Sequence, residues 1–328
     1  MATPDTAILL LNMGGPLRAE RVRPFLLELF NDRDIIRLGP ALLQPLIARA
    51  IVGARLKDVQ RRYAEIGGGS PILRESAAQA TALRQVLRAA GRPEPVKLLF
   101  RYAAPRAAGL LTALRSRGIR RLLPVTLYPH DCRATTGSSL RDLERAAPAI
   151  GMELLAGVAH YATDPDFLAA WEEALRGALR QRPGATVLFS AHSLPRRQVE
   201  QGDPYEREIQ ATVQALQDRL GPIPGGCRLA YQSKVGPIPW LAPNVAEVVP
   251  QLSGQDVIVV PISFVSEHIE TLHELDIEYA HLAKAAGVRS WTRLPVPGTH
   301  PAYIRCLARR TLEALQAGLC RLPQSARI

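Results

Sequence analysis

The chain predicts an α/β fold of two similar open-sheet lobes, and three observations lead there. Short apolar runs ending in turn residues alternate with longer helical patterns, such runs number about four in each half, and 328 residues suffice for two medium domains. Runs apolar throughout read as parallel strands covered on both faces by helices. The first is placed at 7–11 and closed by NMGGP. Strands at 96–100 and 121–126 are closed by RYAAP and LYPHDCRATTGSS, and a fourth is placed at 153–158. The second half follows the same rhythm, with 186–190 before AHSLP, 228–231 before QSKVGPIPW, 256–261 before ISFVSEH, and 290–293. Helices fill the intervals. One opens at Ser70-Pro71 with proline as its first helical residue, another at Asp203-Pro204-Tyr205-Glu206 in capping-box form. A division near 148–151 separates lobes 1–149 and 150–328, and the last helix is free to return to the first lobe. Ligands of open α/β sheets bind beyond the carboxyl ends of strands, so the loops quoted above face one another across a cleft.

Composition narrows the function. A chain that is 47% hydrophobic and 22% charged is globular rather than disordered, with only 1–5 and 323–328 reading as loose ends. Cys132, Cys227, Cys306 and Cys320 lie far apart without a CxxC pair, which argues against a disulfide framework and a structural zinc. The apolar run at 7–11 lacks the length and basic start of a secretory signal, and no segment reaches the roughly 18 apolar residues that span a bilayer. A cytoplasmic protein is expected. The net charge of +11 comes mostly from arginines scattered over helices, such as Arg49, Arg55, Arg61 and Arg62. No basic region is interleaved with aromatics, so nucleic acid is not an expected partner, whereas an anionic small substrate or an anionic membrane surface is. NMGGP and IGGGSP contain neither GxGxxG nor GK[ST], so no nucleotide is expected. Flexibility or close approach accounts equally for Gly14, Gly15, Gly67, Gly68 and Gly69.

Against this basic background, SFVSEHIETLHELDIEY at 263–279 concentrates Glu267, Glu270, Glu274, Asp276 and Glu278 with His268 and His273. Read as a helix opening at Ser266, it places Glu267, Glu270, Glu274 and Glu278 on one face. Two readings stand. The face is either solvated, with Ile269, Leu272 and Leu275 packed inward, or it lines a cleft, where a proton or cation relieves the repulsion. His192 follows the apolar run TVLFS and is either a base or metal ligand, or a hydrogen-bonded structural histidine. Paired with the Glu267 and Glu270 end of the acidic segment it makes an imidazole and carboxylate site suited to Fe(II), Zn, Co or Ni.

In order along the chain, LLNMGGP, VRPFLLELFNDRDII, YAEIGGGSPI, FRYAAP, YPHDCRATTGSS, FSAHSLPRRQVEQGDPY, YQSKVGPIPWLAP and PISFVSEHIETLHELDIEY resemble the ferrochelatase family from Ile8 to about Leu307. The resemblance implies a class II chelatase-like fold of two Rossmann-like lobes, each with a parallel four-stranded sheet. It also implies insertion of ferrous iron into protoporphyrin or coproporphyrin to give a heme, a lyase reaction of heme biosynthesis. His192 of SAHSLP and Glu270 of HIETL match the family's residues for metal and proton handling, while Glu267, His268, Glu274 and Glu278 match its acidic path. Met13, Arg101, Tyr102, Ser193 and Trp240, from the strand-end loops, are the candidate porphyrin contacts. Porphyrin and Fe(II) are the expected substrates, and a monomer or weak dimer the expected state.

Departures from the family pattern are few. Glu267 stands where Asp is frequent, and Pro129-His130-Asp131-Cys132 replaces a PQYS-like stretch, so Asp131 occupies a usual tyrosine position in a cleft loop. GTHPAYI replaces a Leu-Asn approach to the last helix. Some relatives bind a [2Fe–2S] cluster through clustered C-terminal cysteines; Cys306 and Cys320 lack such companions, so no cluster is expected. Segment 35–56, apolar with Arg37, Arg49 and Arg55, reads either as a core-packing helix pair or as an apolar lip touching anionic lipid at the inner face of a membrane. A chelatase for another tetrapyrrole or metal such as cobalt, and a non-catalytic heme or porphyrin carrier, are the rival functions.

Overall fold

A computed structural model describes residues 4–236 and 238–317; the segments 1–3 and 318–328, the latter with Cys320, lie outside the described residues. Eight parallel strands form two four-stranded sheets of the same order. The first runs β2 (Val96–Phe100), β1 (Thr6–Asn12), β3 (Arg121–Thr126), β4 (Glu153–Leu154). The second runs β6 (Cys227–Gln232), β5 (Thr186–His192), β7 (Asp256–Pro261), β8 (Ser290–Arg293). In each lobe the first strand is central and the chain winds away from it in both directions. The crevice this creates lies at the ends of β1 and β5.

The strand interiors were legible because they are apolar on both faces. Every residue of β1 is buried. Ile8 and Leu10 point into a core that also holds Leu83, Trp171, Phe189 and Leu307, while Ala7, Leu9 and Leu11 meet Leu111 and Leu143 on the other side. That first core contains strand residues of both sheets, so one body of apolar packing joins the lobes.

One expected strand is curtailed. Only Glu153–Leu154 pairs with β3, and the chain returns to it at a single bridge, Val125 to Val158. Gly157 lies so close to β3 that a Cβ there would sit 1.9 Å from the Pro124 carbonyl oxygen, and this contact bends the segment out of the ladder. Because β4 and the bridge belong to the first sheet, the division near 148–151 falls too early; the chain leaves that sheet only after Val158.

In chain order the helices are α1 (Val22–Asn31), α2 (Gln44–Glu65), α3 (Ile72–Ala89), α4 (Ala107–Ser116), α5 (Ser138–Ala149) and α6 (Pro165–Gln181). They continue with α7 (Arg196–Glu200), α8 (Tyr205–Leu220), α9 (Val245–Val248), α10 (Tyr279–Ala285) and α11 (Pro301–Ala317). The last, α11, packs on both α6 and α3. Pro71 is the cap of α3 rather than its first helical residue. At α8, Asp203 accepts the Tyr205 N–H at 3.1 Å, without the reciprocal bond of a capping box; that motif occurs instead at Asn244 and Glu247 of α9. Cys132, Cys227 and Cys306 are free thiols, the first and last buried.

Candidate active site

Strand β5 carries the apolar TVLFSA to the crevice and ends on His192, whose backbone N–H donates to the Ser263 hydroxyl at 3.0 Å. From the adjacent β7 the chain crosses 262–269 and enters a π-helix, Glu270–Glu278. Its turn is wider than an α-turn, which keeps residues four apart in register and aligns Glu270, Glu274 and Glu278. The helix therefore does not open at Ser266, and Glu267 does not share the acidic row. Glu267 lies in the preceding loop, where it accepts from Arg293 Nη1 at 2.9 Å, while the same guanidinium grips Asp276 through Nε at 2.6 Å and Nη2 at 2.8 Å. Arg293 thus draws two of the five carboxylates away from the cavity.

The His192 imidazole meets Glu270 through Nδ1, 2.7 Å from Oε2. With Glu270 ionised, Nδ1 is the donor and Nε2 is left with a lone pair on the cavity side. Burial opposes charge on both groups, but each offsets this for the other: the pKa of His192 is raised by Glu270, and that of Glu270 is lowered by His192. Glu274 behaves oppositely. Burial and then the Glu270 charge raise its pKa, although Ser233 N–H at 2.7 Å, Gln232 Nε2 at 3.0 Å and Tyr279 Oη at 3.1 Å all donate to it. Glu278, at the outer end, is exposed and pairs with Arg62 of α2 at 3.0 Å. His268 Nδ1 donates to the Ser266 carbonyl oxygen, 3.1 Å away, so Nδ1 carries the proton. Its Nε2 stands 4.0 Å from Glu270, and burial lowers its pKa.

These groups form one wall of a cavity of about 550 Å³ between the lobes, a size typical of small-molecule sites. Met13, Ser193 and Trp240 line it, with apolar side chains such as Phe25, Leu29 and Ile36 from α1 and the loop after it. Arg101 and Tyr102 do not. They lie behind the wall, where Arg101 is paired with Asp32 and donates to Ser138 Oγ at 3.0 Å, and Tyr102 Oη donates to Asp32 at 2.7 Å. Asp32 caps α1, so the RYAAP loop anchors that helix rather than presenting a ligand contact. The same loop explains Gly14: with φ +83° and a Cβ that would fall 2.7 Å from Ala103, only glycine fits. Asp131 also turns away, its N–H donating to Glu208 at 2.7 Å, while Tyr128, His130 and Cys132 reach the cavity. Ser233, Gln232, Tyr279 and Arg293 were not among the expected site residues. Ser233 and Gln232 lie in or beside the strand-end loop QSKVGPIPW, which was the available signal.

His130 offers a stability test. Its Nε2 lies 2.8 Å from Thr212 Oγ1, whose own hydrogen is directed to the Ala162 carbonyl, so Nε2 donates and Nδ1 is a buried lone pair without a partner among the described residues. Burial lowers its pKa from 6.5 to about 3. The unfolded chain takes up this proton and the folded one does not, so stability is lost as pH falls below 6.5. Between pH 7.5 and 5 the loss from this residue is about 2 kcal/mol. Urea titrations at both pH values should show that difference between the native protein and His130→Gln; parallel pH dependence in the two would contradict it.

The Ferrochelatase family model matches residues 5–315. This chain belongs to the ferrochelatase family. Among the family's members, the ferrochelatase of Geobacter metallireducens is 44% identical over 310 residues, 92% of this chain and 96% of that protein. The ferrochelatase of Nostoc sp. is 40% identical over 331 residues, 98% of this chain and 85% of that one. Solved structures share the fold. Bacillus subtilis SirB with Fe3+ superposes with a TM-score of 0.59 at 16% identity, covering 96% of this chain and 97% of SirB. The sirohydrochlorin chelatase SirB of Bacillus subtilis subspecies spizizenii, in complex with cobalt, gives 0.57 at 16% identity, with the same coverage of 96% and 97%.

Proposed function

We propose that this protein is a ferrochelatase, a lyase of heme biosynthesis that inserts Fe(II) into a porphyrin and releases two pyrrole protons. The observation that carries the reading is the His192 imidazole, oriented by Glu270 and facing a largely apolar cavity, in a chain of this family. A flat macrocycle is accommodated by apolar walls, and its N–H groups need a base on one face. His192 Nε2 accepts a pyrrole proton, and Glu270 stabilises the imidazolium by holding Nδ1–H. As substrate, ferrous iron suits an imidazole and carboxylate donor set, but His192 Nε2 has a lone pair for it only while unprotonated, so iron contact and proton acceptance at that nitrogen alternate in time. Glu274 and Glu278 continue from Glu270 toward solvent as the acidic path.

The cavity wall also holds Arg55 and Lys234, which have no carboxylate partner among the described residues, and these are the cations we assign to the propionates. An anaerobic assay of Fe(II) with protoporphyrin IX and, separately, coproporphyrin III tests the reading. Loss of free-porphyrin fluorescence with growth of a heme spectrum is expected. Tight binding of both rings without metallation would favour a carrier, and turnover only with cobalt a chelatase for a different metal.

Membrane contact is the second part of the proposal. No helix among the described residues is long and apolar enough to cross a bilayer. Of segment 35–56, Ile35 and Ile36 face the cavity and Ala48 and Val52 are buried, but Leu42, Leu43 and Leu46 are 92%, 49% and 61% exposed, beside exposed Arg37 and Arg49. Apolar tips ringed by cations suit the inner, anionic face of a membrane. The protein should sediment with phosphatidylserine vesicles at low salt and be released as salt screens the contact. No sedimentation at low salt would end the idea.

A further inference from the structure

Arg293, on the edge strand β8, binds carboxylates on both sides of the entrance to the π-helix. Its Nη1 donates to Glu267 in the loop before the helix at 2.9 Å, and its Nε and Nη2 donate to the two oxygens of Asp276 inside it at 2.6 and 2.8 Å. Nη1 also donates to the Leu294 carbonyl at 3.0 Å, which ties the guanidinium to its own strand. Two residues earlier, on the same face of β8, Trp291 donates its indole N–H to the carbonyl of Leu275 at 3.0 Å. Adjacent residues of the helix, Leu275 and Asp276, are therefore both held by this strand. A π-helix running from Glu270 to Glu278 is unusual, because the wide turn occurs mostly as a single-turn bulge within an α-helix. ETLHELDIE has the composition of an ordinary helix, so the wide turn is imposed by what the segment touches. The chain returns to α geometry at Tyr279, soon after the residues that β8 holds.

We infer that Arg293 is a positioning residue for metal insertion: by holding loop and helix together it fixes the wide turn and, through it, the place where Glu270 meets His192. Glu270 is the first residue of the helix and lies in the chain between the two carboxylates that Arg293 grips. A tighter α-turn carries each residue further round the axis, so release of Glu267 or Asp276 moves the Glu270 carboxylate away from His192 Nδ1, now 2.7 Å from it. Arg293, Glu267 and Asp276 all lie outside the cavity lining, so the arginine acts on the reaction through Glu270. A guanidinium suits this task, since its planar fork takes one carboxylate along an edge and reaches a second from the remaining nitrogen. A lysine ammonium is a point charge and cannot span both.

The inference rests on the chelatase reading, and two measurements keep them apart. The first follows the His192 Nδ1 proton by NMR of protein carrying isotopically labelled histidine, with His192→Ala identifying the resonance; it needs neither metal nor porphyrin. The second is single-turnover insertion of Fe(II) into preloaded porphyrin under anaerobic conditions. Native protein is compared with Arg293→Gln, Arg293→Lys and Asp276→Asn. The last is a change at an exposed residue and keeps the test open if Arg293→Gln fails to fold. Arg293→Gln should slow insertion about a hundred-fold, the scale of a small misplacement of a reacting group, and the other two about ten-fold, with porphyrin affinity unchanged. In all three the His192 resonance should shift as its bond to Glu270 lengthens. Native rates with an unmoved resonance in Arg293→Lys and Asp276→Asn overturn the inference. So does slower insertion with an unmoved resonance and a lower melting temperature, for that marks an ion pair that only stabilises the fold. Failure of the native protein to metallate any porphyrin removes the chelatase reading and any role in insertion, while the resonance still shows whether Arg293 places Glu270.

Discussion

His192→Ala is expected to lose roughly a thousand-fold in metal insertion, within the range a positioned general base contributes, while porphyrin affinity changes only a few-fold. The imidazole is the basic nitrogen held at the carboxyl end of β5, and its Nδ1 is committed to Glu270 at 2.7 Å. Removing it leaves the pyrrole N–H groups without an adjacent acceptor, whereas most of the surface that holds the ring is contributed by Met13, Trp240 and the apolar residues of α1 and its following loop. Fluorescence titration measures binding, and stopped-flow metallation measures the loss. Turnover near the native rate would show that another group takes the protons.

Glu270→Gln should be nearly as damaging for a different reason. The amide is isosteric and its oxygen still accepts the Nδ1–H of His192, so porphyrin binding and the placement of the ring are preserved. The counter-charge to the imidazolium is gone, and the amide cannot carry a proton onward. A loss of about a hundred-fold is expected in the insertion rate, with a weaker dependence on iron concentration at saturation of porphyrin. Stability should not fall, because the substitution also removes repulsion of Glu274, whose carboxyl pKa is raised by burial and by the Glu270 charge. An unaltered rate and iron dependence would exclude Glu270 from both metal and proton handling; a large drop in melting temperature would point to a structural role.

Local pattern carried much of this, and its failures have a common origin. The strands at 96–100, 121–126 and 256–261 have the predicted limits because a mostly apolar parallel strand is recognisable without its partner, and the half-buried strand at 290–293 also has its predicted limits. The strand at 153–158 shrank because Gly157 contacts Pro124, a residue of another strand. Arg101 and Tyr102 stand in a strand-end loop as expected, yet Asp32, far away in sequence, turns them from the cavity. Glu267 fits helical spacing on paper; Arg293, supplied by β8, holds it in the loop before the π-helix.

By itself the sequence determined the alternation of strand and helix and the family through its ordered motifs, and it singled out His192 and Glu270 as the candidate centre, since these depend on residue type and local order. Only the tertiary structure decided which acids share a face and which cations neutralise the others. The physical reason is that charge and hydrogen bonding act over a few ångströms between groups distant in the chain, so their partners are set by how β5, β6, β7 and β8 lie side by side.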